Sequence, residues 1–234
     1  MNFSVQISEQ IQVAAIALQH GALVGFPTET VYGLGADAEN VEAVANIYRA
    51  KGRPSNHPVI VHIAPEADIH YWVKDLPAAA QDLIDAFWPG PLTLILKRAE
   101  HIPDAVSGGQ DSIGVRCPSH PVAQQLLRAF KGGKGGVAAP SANKFGHVSP
   151  TKAEHVLEEF PEEVAGGMIA SVLDGGQSDV GIESTIVDMS RLETYGPVLL
   201  RPGHITAAQL EQVLGVAVNA PDQAAPRASG TLEA

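Results

Sequence analysis

Short apolar runs alternate with helical periodicities along most of this chain. Ile7, Ile11, Ala14, Ala15 and Leu18 recur at helical spacing, with Ser8 as the expected N-cap and Gly21 as the stop. Ala22 to Phe26 is an apolar run closed by Pro27 and reads as a buried strand. Asn40 caps a second helix with Val44, Ile47 and Tyr48 on one face, stopped by Gly52. Val59 to Ile63 is the next strand, and its alternation puts His62 on the face opposite Val61 and Ile63. Leu83, Ile84 and Phe87 mark a third helix. It ends at Trp88-Pro-Gly-Pro91, because neither proline continues a helix. Strands follow at Leu92 to Leu96 and at Ser112 to Cys117, the second delivering Arg116. Pro121 opens a helix to Phe130, at the position where proline is best tolerated.

The segment Lys131-Gly-Gly-Lys-Gly-Gly136 reads as a mobile surface loop, and the apolar Val137 to Ala139 as buried. Thr151 and Glu154 have the spacing of a capping box for a helix to Phe160. Further strands are expected at Met168 to Leu173, Ser184 to Met189 and Val198 to Leu200. Thr206 with Gln209 caps a closing helix carrying Leu210, Val213 and Leu214. From about Asn219 the chain turns to Pro, Ala, Ser, Gly and Arg without periodicity, a linker or tail outside the core. The expected organisation is one domain over residues 1–218 and a flexible tail or interdomain linker over 219–234. Strands and helices mix without a strict βαβ rhythm, which predicts a single twisted, mixed sheet with helices packed against it.

Apolar residues make up 45% of the 234 positions and charged ones 18%, ample for a sizeable core. The single cysteine, Cys117, excludes an internal disulfide and fits a reducing, cytoplasmic setting. No apolar run reaches the length of a membrane span, and Met-Asn-Phe-Ser lacks the basic start of a signal peptide. A net charge of −11 argues against non-specific coating of nucleic acid but leaves room for one basic cavity. Cations do cluster along the chain, at Arg49, Lys51 and Arg53 and again at Lys131, Lys134 and Lys144, where a solvated surface is the simplest account.

Familiar signatures fail on context. Gly33-Leu-Gly-Ala-Asp-Ala38 fits the loose dinucleotide pattern, yet the next strand ends in His62-Ile63 with no acid for a ribose. The glycine run has no following Lys-Ser/Thr, so it is not a P-loop. Ser141 lacks a nucleophile elbow. What remains is a set of polar loops at strand ends. Lys51 and Arg53 together suit a phosphorylated ligand, one as a point charge and the other as a fork. Arg116 and Arg201, on or just after apolar strands, need an anion. Glu29, Glu183 and a ligand all remain open as that anion. The residues alone therefore point to a phosphate- or carboxylate-binding cavity of unspecified chemistry.

At these positions the chain resembles the YrdC-like family, the threonylcarbamoyl-AMP synthases. The matching motifs are Phe26-Pro-Thr-Glu-Thr-Val-Tyr-Gly-Leu-Gly35, Lys51-Gly-Arg-Pro54, Pro58-Val-Ile-Val-His62, Trp88-Pro-Gly-Pro-Leu-Thr93 and Val115-Arg-Cys-Pro118. They continue with Ala139-Pro-Ser-Ala-Asn143, Ser149-Pro-Thr151, Gly181-Ile-Glu-Ser-Thr-Ile-Val187 and Leu200-Arg-Pro-Gly203, in the family's order. The resemblance implies an open, twisted, mixed α/β sheet with flanking helices and a large, electropositive concave cavity. It implies condensation of L-threonine, bicarbonate or CO2, and ATP into threonylcarbamoyl-AMP and pyrophosphate, with Mg2+ carried by ATP rather than by protein side chains. Separate proteins would then transfer the threonylcarbamoyl group to tRNA. Some family members have instead been regarded as double-stranded RNA-binding or ribosome-maturation proteins, and direct contact with tRNA is compatible with the basic cavity. No membrane is implied.

Carried over motif by motif, the resemblance assigns Lys51, Arg53, Ser141 and Asn143 as the catalytic set. It assigns Arg53, His57, Ser112, Ser141, Ser149 and Arg201 to ATP. It assigns Thr30, His62, Arg116, Ala139 (through its backbone) and Ser184 to threonine or its carbamate. Position 57 is often Asn in relatives. Pro226-Arg-Ala-Ser-Gly-Thr-Leu232 resembles the start of the linker of two-domain members, which continues into a segment folded over the nucleotide site. A chain cut at that linker would be expected to have a more open cavity.

Overall fold

The computed structural model describes residues 4–231. In chain order its helices are α1 (Val5–Gln19), α2 (Val41–Lys51), α3 (Ala78–Phe87), α4 (Pro121–Ala129), α5 (Ala153–Glu159), α6 (Pro161–Ala165), α7 (Leu192–Tyr195) and α8 (Ala207–Leu214). Its strands are β1 (Leu23–Phe26), β2 (Gly33–Asp37), β3 (Ile60–Ile63), β4 (Leu92–Lys97), β5 (Ser112–Arg116), β6 (Gly136–Ala138), β7 (Ile169–Val172), β8 (Thr185–Asp188) and β9 (Val198–Arg201). All nine strands join one sheet in the order β7-β1-β2-β6-β3-β5-β4-β8-β9. The pairs β1/β7, β3/β5 and β4/β8 are parallel and the others antiparallel, so the sheet is mixed, as the irregular rhythm predicts.

The two faces of this sheet are covered differently, and that asymmetry positions the site. Successive side chains of a strand point to opposite faces. Val61, Ile63, Leu94, Leu96, Val115 and Val187 pack into the large core beneath α2, α3 and α8. On the opposite face Val24, Phe26 and Val137 meet α1 and α4, through Ile11, Leu18, Leu126 and Leu127. These two helices cover only the β1-β2-β6 side. Over β3, β5, β4 and β8 the same face carries Ile60, Ile95 and Ile186, and what covers them is the chain's own end. Ala228, 1% exposed, seats among these three isoleucines with Val198 and Leu200. The segment is held by paired bonds with Gln110, whose Oε1 accepts from Arg227 N (2.7 Å) and whose Nε2 donates to Arg227 O (3.0 Å). The expectation of an unpacked tail is therefore corrected over residues 225–231. One alanine in a polar stretch has no periodicity, yet it suffices to cap an apolar strip that no helix reaches.

Several local expectations shift for packing reasons. Gly33–Asp37, which the apolar pattern leaves as loop between the strand ending at Phe26 and the helix capped by Asn40, is a buried strand, and a Cβ on Gly35 would come within 2.7 Å of Val137 and 2.9 Å of the Phe26 ring. The glycine-rich patch is not a free loop. Phe130–Gly133 forms a 3-10 turn, Gly136 leaves the Trp72 ring no room for a Cβ (2.5 Å), and Lys131 is paired with Asp37 at 2.8 Å and Glu39 at 3.2 Å. Ser4, not Ser8, caps α1 by accepting from Ile7 N at 3.3 Å. No side-chain capping bond forms at α5, where Lys152 is the N-cap and Glu154 pairs with it at 3.3 Å. The Thr206–Gln209 capping box is formed.

A charge cannot stay buried on the Ile60/Ile95/Ile186 strip. Ala228→Glu is expected to lift the terminal segment and speed tryptic cleavage after Arg227 several-fold. The melting temperature should move by no more than a few degrees, because the sheet and its two larger cores are untouched; limited proteolysis followed by mass spectrometry checks this.

Candidate active site

The uncovered strip of the sheet meets the α1/α4-covered half along His62, Arg116 and the loops that follow β1 and β6. A narrow cavity of about 20 Å³ lies there. Thr30, His62, Arg116, Ala139, Ser141 and Ser184 line it, together with Glu183 and Ser229. Residues from Thr30 to Ser229 converge because strand register requires it: His62 stands beside Arg116 in the parallel β3/β5 pair, and Ser141 bridges to Gly33.

Arg116 is the most constrained group. Its Nε donates to Gly90 O (3.3 Å), Nη1 to Thr30 Oγ1 (3.0 Å) and Nη2 to Glu29 Oε1. Of the two anions open to Arg116 within the protein, the structure selects Glu29. The other Glu29 oxygen accepts from Ser119 N (2.7 Å) and His120 N (3.2 Å) at the start of α4, where N–H groups lack helical partners. Burial lowers the Arg116 pKa to about 9, with the field of Glu183 opposing, so the guanidinium is cationic at neutral pH. Among the described residues three of its five N–H groups are engaged, and two remain.

Lys51 ends α2, and the αL turn at Gly52 sends the chain on to Arg53. Its Nζ donates to the carbonyls of Ser141 and Asn143, 2.5 Å each, which ties the α2 end to the loop after β6. Burial, then the neighbouring Arg53 charge, lowers the Lys51 pKa to about 7, so an approaching anion would draw it back toward the charged form. Arg53 donates to Pro58 O (2.8 Å) and Ser229 Oγ (3.4 Å), and burial lowers its pKa. Arg53 Nε and Asn143 Oδ1 are buried with no hydrogen-bond partner among the described residues. Arg201 donates from Nε to Ser184 O (3.0 Å), from Nη2 to Ser184 Oγ (3.1 Å) and from Nη1 to Ser229 O (2.8 Å). Ser184 Oγ also lies 2.8 Å from Thr93 Oγ1.

His62 is fully enclosed, edge-on to Phe26 at 6.0 Å, with Nδ1 3.2 Å from Ile60 O. That contact makes Nδ1 the donor and leaves Nε2 as an acceptor. Burial pushes its pKa down to about 4, so the ring is neutral at physiological pH.

Ser112, Gly114 and Arg116 alternate onto one face of β5, so Ser112 belongs to the same groove but at its far end, beside Arg227 and Ala228. His57 lies outside the cavity lining, with its ring edge-on to Phe145 at 5.5 Å. Ser149 is reached through Glu183, whose Oε1 accepts from its hydroxyl at 2.7 Å. Of the clustered cations only Lys51 and Arg53 enter the site. Arg49 pairs with Glu42 at 2.7 Å, Lys131 with Asp37 and Glu39, and Lys144 with Glu163. The expectation of a large open cavity is corrected as well. Ala228 and Ser229 lie along the groove and fill it. The larger clefts, about 790 and 690 Å³, open around Lys97, Ser190 and Arg191 at the other end of β4, and of the expected residues only Ser112 borders them. Glu29 and Glu183 were legible as counter-ions but not as site residues. Ser229 had no sequence signal beyond its place in the linker-like stretch.

Removing one partner of a buried pair leaves the other charge uncompensated. Glu29→Ala is expected to cost about 3–5 kcal/mol in urea unfolding. For His62 the unfolded state binds the extra proton between pH 6.5 and 4, so stability rises with pH across that window and falls on acidification. His62→Gln is expected to flatten this acid slope, read from denaturation midpoints across that range.

A family model described as telomere recombination, spanning the Sua5, YciO and YrdC proteins, matches residues 16–203. Curated relatives include the threonylcarbamoyl-AMP synthases of Pyrococcus abyssi (43% identical, covering 92% of this chain and 60% of that protein) and Bacillus subtilis (46%, covering 88% and 57%). A putative threonylcarbamoyl-AMP synthase of Mycobacterium tuberculosis is 38% identical, covering 90% of this chain and 92% of its own. Among solved structures, P. abyssi Sua5 complexed with L-threonine superposes with a TM-score of 0.82 at 41% identity, over 92% of this chain and 59% of that one. Escherichia coli YciO, at 23% identity and a TM-score of 0.70, shares the fold. The chain spans about three fifths of the length of the P. abyssi and B. subtilis relatives. With the family model matched across the sheet and every segment that lines the cavity except the one carrying Ser229, the chain belongs to the Sua5/YciO/YrdC family.

Proposed function

We propose that this chain condenses ATP, L-threonine and bicarbonate into threonylcarbamoyl-AMP and pyrophosphate, in the cytoplasm, as the first step of modifying the tRNA adenosine beside the anticodon. The observation that carries this reading is the division of one groove into two chemistries. At one end are Arg116, with two N–H groups free among the described residues, the hydroxyl of Thr30 and neutral His62, while Ser184 marks the boundary through its bonds to Arg201. At the other are Lys51, Arg53 and Arg201. An amino acid with a side-chain hydroxyl suits the first end and a triphosphate the second. The names of the relatives and the threonine complex of the P. abyssi protein support it.

In this reading the threonine carboxylate lies on Arg116, held rigid by Glu29, with the hydroxyls and His62 Nε2 around its polar groups and Ala139 contributing backbone. The deprotonated amine takes up CO2, and a carbamate oxygen attacks the α-phosphate of ATP in line. Mg2+ would be held by the phosphates of ATP rather than by protein side chains, and would supply charge neutralisation there. Lys51, Arg53 and Arg201 offset the charge that develops on the phosphates, and a dry, preorganised site makes each contact stronger than it would be in water. Ser141, Ser149 and Asn143 orient the phosphates. Ser112 and His57 flank the nucleotide farther along. Because Ser229 stands against Arg53 and Arg201, nucleotide entry displaces it. Separate tRNA threonylcarbamoyl-transfer proteins would consume the labile product. RNA binding as the main role is not favoured: the site cations sit in a narrow groove rather than on a face, and the net charge is −11.

The test is pyrophosphate release from ATP that requires both L-threonine and bicarbonate. Threonine-independent release, or none at all, would sink the reading. Lys51→Ala and Arg53→Ala are each expected to lower kcat/KM at least a hundredfold while the melting curve stays cooperative. Wild-type turnover in either variant would remove that residue from the mechanism.

A further inference from the structure

The cavity holds one acidic side chain among its lining residues, and the reading above gives it no role. Glu183 reaches in from the loop between β7 and β8. Its Oε1 accepts from Ser149 Oγ at 2.7 Å, while Oε2 has no hydrogen-bond donor among the described residues, the nearest cation being Arg201 Nη2 at 3.6 Å. Its field reaches Lys51, Arg53, Arg116 and Arg201, the four cations of the site. With Oε2 free, Glu183 is under-used as a counter-ion, and it stands at the boundary between the Arg116 end and the Arg201 end.

Resting on the threonine reading above, we infer that Glu183 binds the ammonium group of the amino-acid substrate and thereby selects a zwitterion over a simple hydroxy acid. A zwitterion needs two opposite charges a few ångströms apart. Arg116 supplies the positive pole with two uncommitted N–H groups, and Glu183 Oε2 the negative pole. The main-chain oxygens of Thr30, Ile60, Pro140, Ser141 and Ser184 each already accept from a protein donor, and a neutral carbonyl such as that of Ala139 can share the ammonium's hydrogen bonds but lacks the charge to balance it. The arrangement also fixes direction. With its carboxylate on Arg116 and its nitrogen on Glu183, the substrate presents that nitrogen toward Ser149 and Arg201, the phosphate side, where activation has to occur. Once the ammonium has given up two protons to solvent and its nitrogen has bonded CO2 to become a carbamate anion, the attraction to Glu183 becomes repulsion and the new anion is pushed toward the cations.

The experiment compares the unmodified chain with Glu183→Gln and Glu183→Asp in steady-state pyrophosphate release, varying L-threonine and ATP separately. It adds 3-hydroxybutanoate, which is threonine without its amine, as a competitive inhibitor. Glu183→Gln keeps an acceptor for Ser149 and loses only the charge. It is expected to raise the KM for threonine at least tenfold and leave the KM for ATP within about threefold. The preference for threonine over 3-hydroxybutanoate should shrink by the same factor. Glu183→Asp, charged but shorter, should fall between. An unchanged threonine KM overturns the inference. A parallel rise in both KM values also overturns it, since that pattern means Glu183 only props Arg201 and Ser149. Failure of the unmodified chain to need threonine at all is the separate result that removes the function itself, and this inference with it.

Discussion

Four cations gather at the half-covered strip of the sheet, Arg116 and Arg201 from its strands and Lys51 and Arg53 from the end of α2 and the turn after it, and the site is organised by the oxygen partners each one finds. A buried guanidinium or ammonium is tolerated only with close negative or dipolar partners. Arg116 has Glu29, Thr30 and a carbonyl, and Lys51 has two carbonyls. Arg201 has the carbonyls of Ser184 and Ser229, and Arg53 those of Pro58 and the hydroxyl of Ser229. Apart from Pro58, five residues after Arg53, the partners lie on segments remote in sequence, so satisfying the charges pulls loops from across the chain onto the same strip of sheet.

The sheet makes this possible by leaving the strip uncovered. One face is packed by α2, α3 and α8, and the other is covered by α1 and α4 only as far as β6. Beyond that boundary the face has to take something else, and in this structure it takes Ala228. An apolar platform of isoleucines with a rim of cations is complementary to a flat, weakly polar ring carrying phosphates, which is the outline of a nucleotide. The terminal segment satisfies the same surface more modestly, with one methyl group for the platform and one serine for two arginines. Because its contacts are small, a ligand with several negative charges has the advantage for the same partners.

Much of the fold was legible because its signals are local. Asn40 and Gly52 bracket α2, Pro121 opens α4, and the Thr206–Gln209 box begins α8, each read from residues within a turn of one another. The failures share a cause. Gly33–Asp37 resembled a loop because its glycines are there for packing against Phe26 and Val137, contacts that no local pattern announces. The glycine run after Phe130 resembled a mobile loop for the same reason, with Trp72 closing over it. Thr151 and Glu154 had the spacing of a capping box, but the chain enters α5 through Lys152 and the box does not close.

By itself the sequence determined the order of most elements, though not β2, α6 or α7, the mixed character of the sheet, and, through motifs in register, the loops that carry the polar groups. Those properties depend on neighbours along the chain or on motif order, and both are visible in one dimension. Only the tertiary structure decided which anion each cation meets, that Lys131 and Lys144 stand away from the site, that the terminal segment packs rather than dangles, and that Glu183 projects into the cavity with a free oxygen. These outcomes turn on distances of a few ångströms between residues separated by tens to more than a hundred positions. Electrostatic and packing energies depend steeply on such distances, and the linear order of residues does not specify them.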